Sequence, residues 1–232
     1  MESRKKTARI AGLLYLLISI PGPFVLLYIP SKLIARGDAA ATAHNILASQ
    51  PLFRTWIAGE LIFCAVFLLV PLALYRLLKE VNKGQASLMV TLFALSVPIT
   101  SLNTVNLMAA MRLIRGADFL AIFDQPQRES LAMLFLKLHG DGFMAAQFFW
   151  GVWLFPLGLL VYKSGFLPRI LGVWLMVACF AYVADGFGPL LWPTYQDAVS
   201  RVTLVPKLGE VAFMFWLLIM GAKERPLEEA AA

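Results

Sequence analysis

The chain has 232 residues and a formal net charge of +6, is 60% hydrophobic and only 15% charged, and has a mean hydropathy of +0.75. A soluble domain is about 45–50% apolar and about 25% charged, so a water-soluble globule is excluded, and the length has room for about six membrane spans of roughly 20 residues. The cations flank apolar runs and form neither a basic domain nor a nucleic-acid motif, so lipid phosphate accounts for the charge and no nucleic acid is implied.

In chain order, the apolar stretches are Ile10–Ile29, Thr55–Tyr75, Leu88–Met111, Gly142–Tyr162, Ile170–Leu191 and Leu204–Met220. Backbone in lipid must pair internally, and continuous apolar runs favour helices over the alternating pattern of a barrel. The expected fold class is all-α: a polytopic membrane helix bundle of about six transmembrane helices, with short interfacial helices in the outer loops. One integral-membrane domain is expected over residues 1–225, followed by a short disordered tail over 226–232.

The first span opens with Arg4, Lys5, Lys6 and Arg9 and continues past Pro21 and Pro23 without a small-residue cleavage site, which marks a retained signal-anchor helix kinked at its prolines. In the loop 38–50, Asp38 is placed to cap a short Ala-rich helix, and His44 is expected to be solvated. In the loop 115–137, Leu131, Leu134, Phe135 and Leu138 recur at helical spacing after Pro126. That pattern predicts an interfacial helix feeding the fourth span, with a re-entrant segment over 128–140 as the alternative. Pro156 is expected to kink the fourth span. Cys64 and Cys179 lie within spans without metal-type spacing and are read as small buried apolar residues.

With the N-terminus inside, the cytoplasmic segments carry eleven of the Lys and Arg residues (Arg4, Lys5, Lys6, Arg9, Arg76, Lys79, Lys83, Lys163, Arg169, Lys223, Arg225) and the outer segments the other nine. The inner loops are shorter, so their charge density is higher, and both termini are expected in the cytoplasm of a cell whose inner membrane the chain spans.

Function is most visible in the polar residues inside the spans or at their edges. Glu60, Asn103, Asn106, His139, Asp141, Asp185 and Glu210 interrupt otherwise apolar helices. A charge in hydrocarbon is costly, so such residues face a protein interior or a water-filled cavity. Counting inward from the cytoplasmic flanks at about 1.5 Å per residue puts Glu60 and Asp185 about 24 Å up and Glu210 about 20 Å up. Asn103 is level with the first two, Asn106 is one turn higher, and Asp141 is higher still. Similar heights on five helices predict a shared, outward-facing acidic pocket.

Each residue also has a structural alternative. Glu60 can pair with Arg54, Lys207 with Glu210 at i, i+3, and the two asparagines can join helices. Asp185 can end the fifth helix at a break over Gly186–Pro189, and broken helices at membrane depth commonly build binding sites.

HExxH, GxSxG, a Gly-rich phosphate loop and CxxC are all missing, and two histidines exclude a three-histidine zinc site. A carboxylate-rich metal site, a histidine base oriented by an acid, and a proton relay all use the same residues, and no particular cofactor is implied. The leading expectation is binding or translocation of a small or amphipathic ligand in contact with membrane lipids. The alternatives are a membrane-embedded enzyme, with or without metal assistance, acting on a lipid-like substrate, and an accessory subunit of a membrane complex.

The stretch Phe149–Gly172 (FWGVWLFPLGLLVYKSGFLPRILG), the N-terminal RIAGLLYLLISIPGPF, and Tyr182 with Asp185 resemble a bacterial multi-pass membrane family catalogued as a domain of unknown function, number four-three-eight-six, over nearly the whole chain. The resemblance implies a multi-pass membrane protein and carries over no catalytic residues.

Overall fold

A computed structural model describes residues 3–224 of the chain. The tail expected over 226–232 lies outside the described residues. Among these residues ten α-helices and no strand are found: α1 (Arg4–Ser19), α2 (Ile29–Leu33), α3 (Ala39–Ala48), α4 (Gln50–Phe67), α5 (Leu69–Leu78), α6 (Lys83–Arg115), α7 (Gln125–Val152), α8 (Leu154–Lys163), α9 (Arg169–Leu191) and α10 (Gln196–Ile219). They build six helical stretches long and apolar enough to cross a membrane: Arg4–Leu33, Gln50–Leu78, Lys83–Arg115, Gln125–Lys163, Arg169–Gly188 and Pro193–Ile219. Each overlaps one of the six spans read from sequence. The protein is an all-helical, multi-pass membrane protein. Leu17, Leu102, Ile170, Phe180 and Val202 are more than half exposed, as lipid-facing side chains must be.

Prolines set the interruptions. A proline lacks the N–H that would bond the carbonyl four residues back, and its ring crowds that carbonyl. Four residues before Pro71 is Phe67, where α4 ends; four before Pro156 is Val152, where α7 ends. Pro21 and Pro23 follow the end of α1, and a wider π-turn over Phe24–Tyr28 leads into α2. Pro98 and Pro206 lie inside α6 and α10, which continue through them.

The segment 128–140 is neither a separate interfacial helix nor a re-entrant turn. It is the first part of α7, which runs from Gln125 through Gly140 and Gly142 without a break. Asp124 starts it, accepting from the Gln127 amide at 2.8 Å while its own N–H donates to the Gln127 side chain at 3.0 Å. Asp38 caps α3 as its position suggests, accepting from the Ala41 amide at 2.8 Å.

The helices fall into two compact units. The first holds the residues up to Leu17, Phe67–Ser96, and those from Gln147 onward; the second holds Ile18–Val66 and Val97–Ala146. In the first unit, the rings of Tyr15, Phe67, Phe93 and Trp153 pack with centroids 4.9–6.5 Å apart. Its helices approach closely where glycine omits a side chain. A methyl group on Gly12 would lie 2.5 Å from the Leu218 nitrogen, and one on Gly172 would lie 2.6 Å from the Tyr162 nitrogen. The second unit has a core of Val25, Ile29, Leu33, Ile46, Phe53, Trp56, Leu107 and Leu136.

Candidate functional site

In the second unit, Trp56 and Glu60 lie one turn apart on α4, so their side chains share a face. The Trp56 indole Nε1–H donates to Glu60 Oε1 at 2.7 Å. On α7, His139 Nε2 lies 2.9 Å from Glu60 Oε2. Both carboxylate oxygens are therefore partnered, Glu60 is only 2% exposed and His139 5%, and neither partner is a lysine or arginine. The Trp56 and His139 rings meet edge to face at 5.4 Å.

The height of His139 is fixed from α6. Asn103 Nδ2 donates to the His139 carbonyl oxygen at 2.7 Å, and Asn106 Nδ2 donates to Asn103 Oδ1 at 3.0 Å. Gly142, one turn beyond His139, makes this possible, because any side chain there would collide with the Asn103 amide. The structure thus joins four of the sequence candidates: Glu60, Asn103, Asn106 and His139.

In the first unit, Glu210 on α10 is held by two phenols. Tyr15 of α1 donates its hydroxyl to Oε1, and Tyr182 of α9 donates to Oε2 at 2.9 Å. Asp185, one turn after Tyr182, accepts from Lys207 Nζ at 2.5 Å, from Ser200 Oγ at 2.7 Å and from Gln147 Nε2 at 3.4 Å. The Lys207 ammonium also sits 5.1 Å from the Tyr182 ring centroid. Polar groups therefore run from Gln147 through Asp185, Lys207 and Tyr182 to Glu210 and Tyr15. Asp185 and Lys207 keep 18% of their side-chain surface exposed, whereas Tyr15 at the other end is buried.

Three sequence expectations are corrected. Lys207 does not pair with Glu210 one turn away but with Asp185 across the helix contact, where Ser200 and Gln147 also donate. Glu60 does not pair with Arg54, because Trp56 and His139 occupy both its oxygens. The fifth helix does not break at Gly186–Pro189: α9 continues to Leu191, since proline costs the helix the single bond to the Asp185 carbonyl and leaves the flanking pairs free to continue. Asp141 is exposed and His44 is exposed, as a solvated histidine should be.

Sequence reasoning does not single out Trp56, Tyr15 or Gln147. Trp56 carried a usable signal, its i, i+4 spacing to Glu60; Tyr15 and Gln147 are single polar groups in apolar runs and point nowhere until the helices are packed. Among the described residues, no three of His, Cys, Asp and Glu come together as a metal would require.

A family model described as a domain of unknown function (DUF4386) matches residues 10–221. The chain belongs to that family. It is also similar to an uncharacterised protein of Archaeoglobus fulgidus, 41% identical over 75 residues, which are 32% of this chain and 43% of that protein. No solved structure matches the chain.

Proposed function

We propose that this membrane protein binds and translocates a small or amphipathic ligand, with proton exchange at Glu60 and Glu210 as the coupling step. One observation carries the proposal: both glutamates lie in apolar helices, and every partner they have is a neutral donor or an imidazole. A structural acid in a membrane is best neutralised by a fixed cation, as Lys207 does for Asp185. A carboxylate held by indole, imidazole and phenol groups instead keeps its hydrogen-bond partners when a proton arrives, which suits a site that loads and unloads protons. Asp185 and Lys207, partly exposed, are the pair a ligand meets. Asn103 and Asn106 position His139, and Asp141 has no role here. The density of Lys and Arg in the shorter loops supports cytoplasmic termini in an inner membrane.

The enzyme alternative keeps one supporting observation. Glu60 fixes the His139 ring as a general base is fixed, and a lipid-like substrate is the class that reaches such depth.

Proteoliposomes with a trapped pH dye and an imposed gradient test the transport proposal. A panel of amphipathic cations, anions and zwitterions is added to wild type, Asp185→Asn, Glu60→Gln and Glu210→Gln. Wild type is expected to dissipate the gradient with one ligand class, and each variant is expected to lose that signal while inserting normally. Transport that persists in both glutamate variants contradicts proton coupling.

A further inference from the structure

We propose that a groove beside the start of α1 is a binding site for one anionic phospholipid, whose phosphate is held by Lys5 and Lys6 and whose acyl chain lies on Ile10, Leu13 and Leu218. The groove has a volume of about 470 Å³ and is lined by those residues together with Ser3 and Arg9.

The order of side chains along α1 matches the order of groups along a lipid. Lys6, Arg9, Ile10 and Leu13 recur at i, i+3, i+4 and i+7, so they form one stripe. Its first turn is cationic, its next is apolar, and exposed Leu17 continues it. From Lys6 to Leu17 the stripe covers about 16 Å, the reach of one leaflet's headgroup and upper chain. Leu218 of α10 supplies the facing wall, and Gly12 lets the two helices approach until backbone meets backbone.

Two of the cations are held in place. Arg9 Nη2 donates to the Ile219 carbonyl at 3.0 Å, which ties α1 to the end of α10. Gly221 has φ +71°, and a methyl group there would lie 2.9 Å from Lys5 Cγ, so the Lys5 stem rests against that turn. Arg9 therefore shapes the groove, and the lysine ammonium groups carry the charge that meets a phosphate. Glu224 accepts from the Ser3 hydroxyl at one edge of the groove, so three basic side chains of the lining face one carboxylate. A cationic mouth over an apolar floor complements an anionic amphiphile and mismatches a zwitterionic one, whose own cation would meet the lysines.

Native mass spectrometry of protein released from nanodiscs of phosphatidylcholine, with or without phosphatidylglycerol, tests the site. Wild type is expected to retain one phosphatidylglycerol at least about tenfold more strongly than phosphatidylcholine, from the attraction each basic residue has for an anionic lipid. Lys5→Gln/Lys6→Gln is expected to erase that preference, while Arg76→Gln/Lys79→Gln, with the same change in net charge, leaves it within about twofold. Leu13→Gln is expected to weaken lipid retention without unfolding the protein, as checked by thermal unfolding in phosphatidylcholine alone. The proposal is overturned if both lipids bind alike, if the control pair weakens retention as much as the groove pair, or if soluble glycerol phosphate binds as tightly as the lipid.

Discussion

Glu60 and Glu210 are both glutamates set in apolar helices, and the two units hold them differently. Glu60 is sealed: it is 2% exposed, and its partners Trp56 and His139 close around it. Glu210 is connected: the Tyr182 that donates to it lies under the Lys207 ammonium, and Lys207 bonds a partly exposed Asp185. Glu60 therefore has one titratable neighbour, the imidazole, whereas Glu210 sits beside groups that lead to a partly exposed ion pair. The two acids differ in cost as well, since a sealed pair suffers most when one member is lost.

The largest expected effect follows from that sealing. His139→Leu leaves Glu60 with the indole alone, and stranding one member of a buried pair costs about 3–5 kcal/mol. Denaturant unfolding in a fixed detergent measures it. The double variant Glu60→Leu/His139→Leu should recover much of the loss, and strictly additive losses would show that the two residues are not a coupled unit.

Tyr15→Phe removes a donor from Glu210 without changing the ring packing against Phe67 and Trp153. A hydrogen bond to a charged group contributes about 1.5–3 kcal/mol, so the loss should be smaller than at His139. If Tyr15→Phe destabilises as much as His139→Leu, the contrast between sealed and connected acids collapses. Gly172→Ala probes packing without touching either acid. Its added methyl meets the Tyr162 nitrogen and the Gly158 carbonyl, and overpacking of this kind costs about 1–3 kcal/mol. Proton-linked signals should survive in whatever fraction stays folded.

The smallest stability change is expected at the partly exposed end. Lys207→Met breaks a partly exposed ion pair, and exposed pairs contribute about 1 kcal/mol or less. Asp185→Asn should be equally mild in thermal unfolding and yet remove ligand response. A large loss of stability in Asp185→Asn would assign Asp185 to holding α9 and α10 together.

Much of this architecture is legible in the sequence. The six spans follow from apolar run length, and the interruption of the fourth span follows from Pro156 through the carbonyl four residues back. Counting residues from the flanks gives height in the membrane and puts Glu60 and Asn103 level with each other. Height says nothing of rotation about the helix axis. For that reason spacing offers Glu210, its neighbour in sequence, as a partner for Lys207, whereas the contact between α9 and α10 turns it toward Asp185. The same gap hid Tyr15, whose hydroxyl acquires meaning only when α1 packs beside α10. The unbroken course of α9 through Gly186 and Pro189 was hidden for another reason: residues that stop helices in water lose that force where no water competes for the backbone.

Infrared difference spectroscopy on protein in nanodiscs, with and without the ligand class that dissipates the gradient, tests proton exchange at these glutamates most directly. The expected result is a carboxyl C=O band in the wild-type difference spectrum that loses one component in Glu60→Gln and another in Glu210→Gln. A difference spectrum without a carboxyl band, or one that both glutamine variants leave intact, would contradict the assignment of Glu60 and Glu210 as proton-exchanging groups.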